Sequence, residues 1–228
     1  MVRRALLVCG ILAAFLYVAM TLLVGMLWEG YSSAAQTISE LSAIGAPTRP
    51  LWMLLGTIYS VLMVAFGWIV WKSAPPNRAL RVVGALIMAH GVFGYFWPPM
   101  HQRAVLATGG GTLTDTLHLV WAMENGLFFL LAVGFGAAAF GKRFRIYSIA
   151  TLVILLACGV WNGTYASSIH ANLPTPWAGV WERITSTTYM LWIAVLATAL
   201  LQNSRHGDRA ESPGCGGRLA PIKRVATA

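Results

Sequence analysis

The stretch ALLVCGILAAFLYVAMTLLVGML, running from Ala5 to Leu27, contains no charged residue. As a helix rising about 1.5 Å per residue, it covers the ~30 Å of hydrocarbon in a bilayer. Arg3 and Arg4 stand just before it and Glu29 just after it. The run is longer than the about 7–15 apolar residues of a secretory signal, and no cleavage site follows it, so it reads as an uncleaved first helix. Five more apolar runs follow, and together the spans fall at about 5–27, 51–71, 82–97, 117–140, 146–165 and 184–201. They are continuously apolar and lack the alternation of an outer-membrane barrel. The expected fold is therefore all-α: an integral membrane bundle of six transmembrane helices over residues 1–201.

Composition agrees. Hydrophobic residues make up 57% of the chain and charged ones only 10%, against about a quarter charged in soluble domains. The spans use up nearly all of the 228 residues, which predicts one membrane domain and no separate soluble one. A net charge of +9 would suggest nucleic acid in a soluble protein. Here the bases flank apolar spans, so they read as topology signals and headgroup contacts, and no nucleic-acid partner is expected. Cys9 and Cys158 lie inside spans, Cys215 lies in the polar tail, and there is no CxxC. Neither a disulfide nor a cysteine-ligated zinc is expected.

The charges are sorted by side. Arg3 and Arg4, then Lys72, Arg78 and Arg81, then Lys142, Arg143 and Arg145 lie on one side, with Arg205, Arg209, Arg218, Lys223 and Arg224 after the last span. Only Arg49, Arg103 and Arg183 lie on the other. The positive-inside rule then puts both termini in the cytoplasm and the chain in the plasma (inner) membrane. Residues 202–228, rich in Gly, Pro, Arg and Ser, read as a disordered basic cytoplasmic tail.

The connections on the other side are long, at about 29–50, 98–116 and 166–183, and loops of that length are usually functional or disordered. They and the adjoining span ends hold five of the seven acids: Glu29, Glu40, Asp115, Glu124 and Glu182. His101, His118, His170, Arg103 and Arg183 join them. Within the first loop, Ser39 reads as the cap of a short turn. Ionisable groups at membrane depth tend to face the bundle interior or a wet cavity, which makes this end the place for chemistry.

Asp115 and His118, three apart, share one helix face, and Asn125, seven further on, returns nearly to it. A carboxylate and an imidazole so spaced could bind a divalent metal or form an acid/base pair. Equally, Asp115 could serve the start of its helix while His118 bonds across the bundle. Glu124 points elsewhere and needs a partner on another helix. Arg183 is expected to pair with Glu40, Asp115 or Glu124. His90, alone in mid-span, reads as an interhelical hydrogen-bonding group.

The segment Tyr31-Ser32-Ser33-Ala34-Ala35-Gln36-Thr37-Ile38-Ser39-Glu40-Leu41, with Gly45 and Pro47 after it, follows the first span. With His101-Gln102-Arg103 and the Asp115/His118 pair, it resembles the signature of a bacterial and archaeal multi-pass family, catalogued as domain of unknown function 998. The likeness covers about residues 5–200 and excludes the tail. It implies the span count but no established activity, substrate or cofactor.

Three functions compete. The first is a membrane protein that binds a lipid or a partner at the outer leaflet, with a small hydrophobic ligand or a protein as the alternatives to lipid. The second is an outer-face hydrolase or lipid-modifying enzyme. Asp115, His118, His101 and Glu40 would act there, His101, Asp115 and His118 would hold any metal, and Arg103, Glu124 and Arg183 would support them. The third is a proton- or ion-coupled transporter using Glu124, His90 and Asp115 as a relay.

Overall fold

A computed structural model describes residues 1–74 and 76–210. Six long helices carry the architecture: α1 (Val2–Met26), α2 (Arg49–Lys72), α3 (Arg78–Tyr95), α5 (Leu113–Ala139), α6 (Lys142–Gly163) and α8 (Ala178–Ala210). Two short ones, α4 (Arg103–Ala107) and α7 (Ala166–His170), sit in the connections, and a 3₁₀ turn spans Ile38–Ser42. No strand is present among the described residues; the nearest feature is a single parallel bridge between Ile44 and His101. The protein is an all-α integral membrane bundle.

By length and composition, five helices among the described residues can cross a bilayer: Val2–Met26, Arg49–Lys72, Leu113–Ala139, Lys142–His170 and Ala178–Asn203. The third of the six expected spans, α3, does not meet that standard. It has 18 residues and carries Arg78, Arg81 and His90. Packing on α2 holds it in the bundle. A Cβ on Gly84 would strike the Trp71 backbone and come within 2.8 Å of the Gly67 carbonyl oxygen, and one on Gly91 would come within 3.0 Å of the Ser60 carbonyl oxygen. Small residues let two backbones meet this closely, and van der Waals contact then drives association where lipid is as apolar as the protein.

The helices run longer than their apolar cores. The third begins at Arg78 rather than 82, the fourth at Leu113 rather than 117, and the last at Ala178 rather than 184. The polar residues at these ends stay helical because extending an existing helix is cheap, whereas nucleating one is costly. The same effect carries α8 past Leu201 to Ala210, so the tail expected to be disordered from 202 is helical over its first part. Residues 211–228 lie outside the described residues.

Each long helix packs on its neighbour in the chain, and α8 closes back on α1, giving the cyclic order α1, α2, α3, α5, α6, α8. The core inside this ring includes Met63, Phe66, Ile87, Tyr189, Trp192 and Ile193, all fully buried. Tyr189 stacks on Phe129 with ring centroids 3.9 Å apart, and the Trp192 indole N–H donates to Ser148 Oγ at 2.9 Å. His90 does bond between helices: its Nε2 lies 3.0 Å from the Tyr59 hydroxyl of α2. At the basic end the connections are tight. Asn77 caps α3 by accepting from the Leu80 amide at 3.0 Å, and its own amide group donates to the Ala139 carbonyl of α5 at 2.8 Å.

Candidate functional site

At the opposite end the segment between α1 and α2 folds over the bundle as a cap. Ile38 and Leu41 pack with Met20, Val24 and Trp52, and Ala43 and Ala46 pack with Met100 and Leu106. Apolar contact gives the cap its position, and Glu40, Arg103 and Arg183 among the candidate polar residues fix it.

The first fastening begins locally. Thr37 and Glu40 form a capping box around the 3₁₀ turn, so the turn is capped by Thr37 and not by Ser39. The Glu40 carboxylate accepts from the Thr37 amide at 2.7 Å and the Thr37 hydroxyl at 2.9 Å. It also takes a two-pronged ion pair from Arg103 at the start of α4, with Nε at 2.6 Å and Nη2 at 2.7 Å. This fork geometry suits a carboxylate and is the strong form of the interaction. Arg103 goes on to Thr175 Oγ at 2.6 Å and the Ala35 carbonyl at 3.1 Å. One guanidinium thereby ties the cap to the α7–α8 connection. The side chains of Arg103 and Glu40 are only 11% and 4% exposed, so water screens the pair poorly.

The second fastening joins α5 to the loop before α4. Asp115 caps its own helix by accepting from the Thr112 amide at 2.7 Å. Its other oxygen accepts from the His101 amide at 2.6 Å, and the His101 Nδ1 donates to the carboxylate at 2.9 Å. Beside this strand of contacts the Ile44 amide donates to the Met100 carbonyl at 2.7 Å, linking loop to cap.

The third is Arg183 on α8. It was expected to pair with Glu40, Asp115 or Glu124, yet it meets no carboxylate among the described residues. Its Nη1 donates to the carbonyls of Ser33 at 2.7 Å, Gln36 at 3.1 Å and Gly179 at 3.1 Å, and its Nη2 donates to the Tyr31 hydroxyl at 2.7 Å. The reason is stereochemical: Arg103 already fills Glu40, and the curled cap presents a set of carbonyls to a planar five-donor fork. Glu182 beside it accepts from the Ile38 amide at 2.6 Å. The first amides of α8, Gly179 and Val180, donate to the Ala34 carbonyl at 2.9 and 3.3 Å, which satisfies helix-start donors that would otherwise be orphaned. Burial pushes the Tyr31 phenol up to about 12, partly offset by the Arg183 guanidinium, so the hydroxyl stays protonated and donates to the Thr37 carbonyl at 2.8 Å.

The proposed cluster is thus divided. His101 and Asp115 come together, and so do Glu40 and Arg103, but the two pairs have separate partners. His118 is buried on the same face as Asp115 but bonds the Pro98 carbonyl through Nδ1 at 2.7 Å. Asn125 donates to the Trp121 carbonyl one turn back in its own helix at 2.9 Å. Glu124 makes no hydrogen bond to a described residue. Among the described residues no three His, Cys, Asp or Glu side chains are grouped so as to hold a metal.

Beside the Glu40–Arg103 pair lies a cleft of about 180 Å³, lined by Trp28, Gln36, Gln102, Ala104 and Asn172 as well as the pair itself. Of these only Glu40 and Arg103 were singled out from the sequence as candidate site residues. The Thr-x-x-Glu spacing of Thr37 and Glu40 is a legible capping signature. Nothing local marks Gln102 or Asn172, which the fold brings together from distant loops.

A family model described as "Protein of unknown function (DUF998)" matches residues 11–199. Among curated proteins, a UPF0060 membrane protein of Mycolicibacterium vanbaalenii is 33% identical over 73 residues, covering 31% of this chain and 67% of the relative. No solved structure matches.

Proposed function

We propose that this chain, which belongs to the DUF998 family of membrane proteins of unknown function, binds the head group of a membrane lipid in the cleft beside Glu40 and Arg103. The observation that carries this reading is the cleft itself. It is a polar recess of about 180 Å³ at the capped end of the bundle, where Trp28 follows the last turn of α1 at the depth aromatic side chains favour in membranes. Polar groups that converge on a concave site can fix the orientation of a ligand's polar end. Protein purified in mild detergent should carry bound lipid, detectable by native mass spectrometry. Filling the cleft with Ala104→Trp should lower lipid occupancy several-fold at an unchanged melting temperature. Equal occupancy in the variant would place any bound lipid elsewhere.

The capped end is proposed to face the outer leaflet of the plasma membrane, with the bases at the other end held in the cytoplasm. A fluorescent protein fused to the C-terminus should then fluoresce, and alkaline phosphatase inserted after Gly109 should be active. The reverse pattern would invert the orientation.

A second reading rests on His101. Asp115 holds its Nδ1, while its Nε2 makes no hydrogen bond to a described residue, which is how an imidazole is set up as a general base. The absence of Glu40 and His118 from that pair leaves this reading in second place.

A further inference from the structure

The charged groups at the cleft are spent on one another. The two Glu40 oxygens together receive two bonds from Arg103 and two from Thr37, and Gln36 Nε2 adds a fifth at 3.3 Å. A guanidinium has five N–H groups, and Arg103 gives four bonds to Glu40, Thr175 and Ala35. A phosphate would have to take Arg103 from Glu40, and an amine would have to take Glu40 from Arg103. Either exchange leaves one buried charge without its partner.

Of the neutral side chains, Gln36 is likewise engaged, with Glu40 and the Ser32 amide, but three others are not. Gln102, Asn172 and Trp28 are among the residues lining the cleft, and the carboxamides and the indole N–H make no hydrogen bond to a described residue. Each carboxamide offers two donors and an acceptor, and the indole offers one donor. Hydroxyls, which donate and accept through one atom, match that set. Trp28, stacked against Tyr31 with centroids 5.5 Å apart, adds an aromatic wall for the C–H face of a ring. At about 180 Å³ and open on one side, the cleft suits a compact polar group.

Resting on the lipid-binding reading above, we propose that the cleft selects an uncharged, hydroxyl-rich head group, a glycosyl or other polyol unit carried on a lipid. Gln102 and Asn172 bind its hydroxyls, and the closed Glu40–Arg103 pair disfavours phosphate and amine. Asn172 also offers a clean test. Its φ of 52° lies in the left-handed region, which glycine adopts without cost. Asn172→Gly therefore removes the carboxamide and keeps the turn.

The experiment titrates the full-length protein, in detergent, with monoglucosyl diacylglycerol, phosphatidylglycerol and phosphatidylethanolamine of matched chains, read by native mass spectrometry. The glycolipid should bind about tenfold or more tightly than either phospholipid. Gln102→Ala with Asn172→Gly should weaken it about tenfold, the scale of one or two lost hydrogen bonds. Each single variant should show part of that loss, so the result does not depend on the double variant folding. A preference for either phospholipid would overturn the head-group selection and leave lipid binding standing. Failure to bind all three lipids would overturn both. Glycolipid affinity unchanged in the folded variants would overturn the cleft as its site.

Discussion

Replacing Arg103 with Ala should cost about 3–5 kcal/mol of stability, the range found when one partner of a buried ion pair is removed. The loss is large because the partner stays behind. Glu40 is 3% exposed and would keep its carboxylate without the fork that now neutralises it. The Ala35 carbonyl would lose its guanidinium donor at the same time, while keeping the Thr175 hydroxyl. Thermal unfolding in a fixed detergent measures this. A loss below about 1 kcal/mol, typical of exposed pairs, would mean that water reaches the pair and that the cap is held by apolar contact alone.

Asp115→Ala comes second in size. It strands the half-buried His101 amide, at about 1–3 kcal/mol for a donor left unsatisfied, and releases the amide of the exposed Thr112 to water. It also frees the loop between Pro98 and α4, so hydrogen exchange should quicken at the amides of residues 101 and 112. Asp115→Asn keeps an acceptor and should recover part of the loss. A purely catalytic Asp115 would behave differently, with Asp115→Ala folding as stably as the native chain.

How much of this could be read from the residues depends on whether the signal is local. The long apolar runs declare the bundle, because about 20 residues must cover ~30 Å of hydrocarbon whatever their neighbours are. The apolar runs understate the helix ends because Arg78, Arg81, Thr114, Asp115, Glu182 and Arg183 are polar but still helical. The third run was less apolar from the outset, and what keeps α3 in place is the close approach of Gly84 and Gly91 to α2, a property of two helices and invisible in either.

The site divides along the same line. Asp115 serving its own helix is one of the two readings that its position at a helix start allows, and the Thr37–Glu40 spacing carries a capping signal where Ser39 is the expected cap. The partner of Glu40 lies 63 residues away, and the Arg183 contacts with Ser33 and Gln36 are nearly 150 residues apart. No spacing rule reaches so far. Arg183 was assigned a carboxylate by charge alone. It took carbonyls because the cap curls around it, and that curl is tertiary structure. A cluster of acids, histidines and arginines at one end of a bundle has the look of a catalytic centre, and in this fold Glu40, Arg103 and Arg183 also fasten the cap.

That role for Glu40 and Arg103 is open to a double-mutant cycle on unfolding free energy, using Glu40→Gln, Arg103→Met and the two together. If the pair fastens the cap, the single losses should be large and the double variant should lose much less than their sum, with a coupling of about 2–3 kcal/mol. Losses that add to within about 0.5 kcal/mol would show that the two side chains do not hold each other, and the cap would need another explanation.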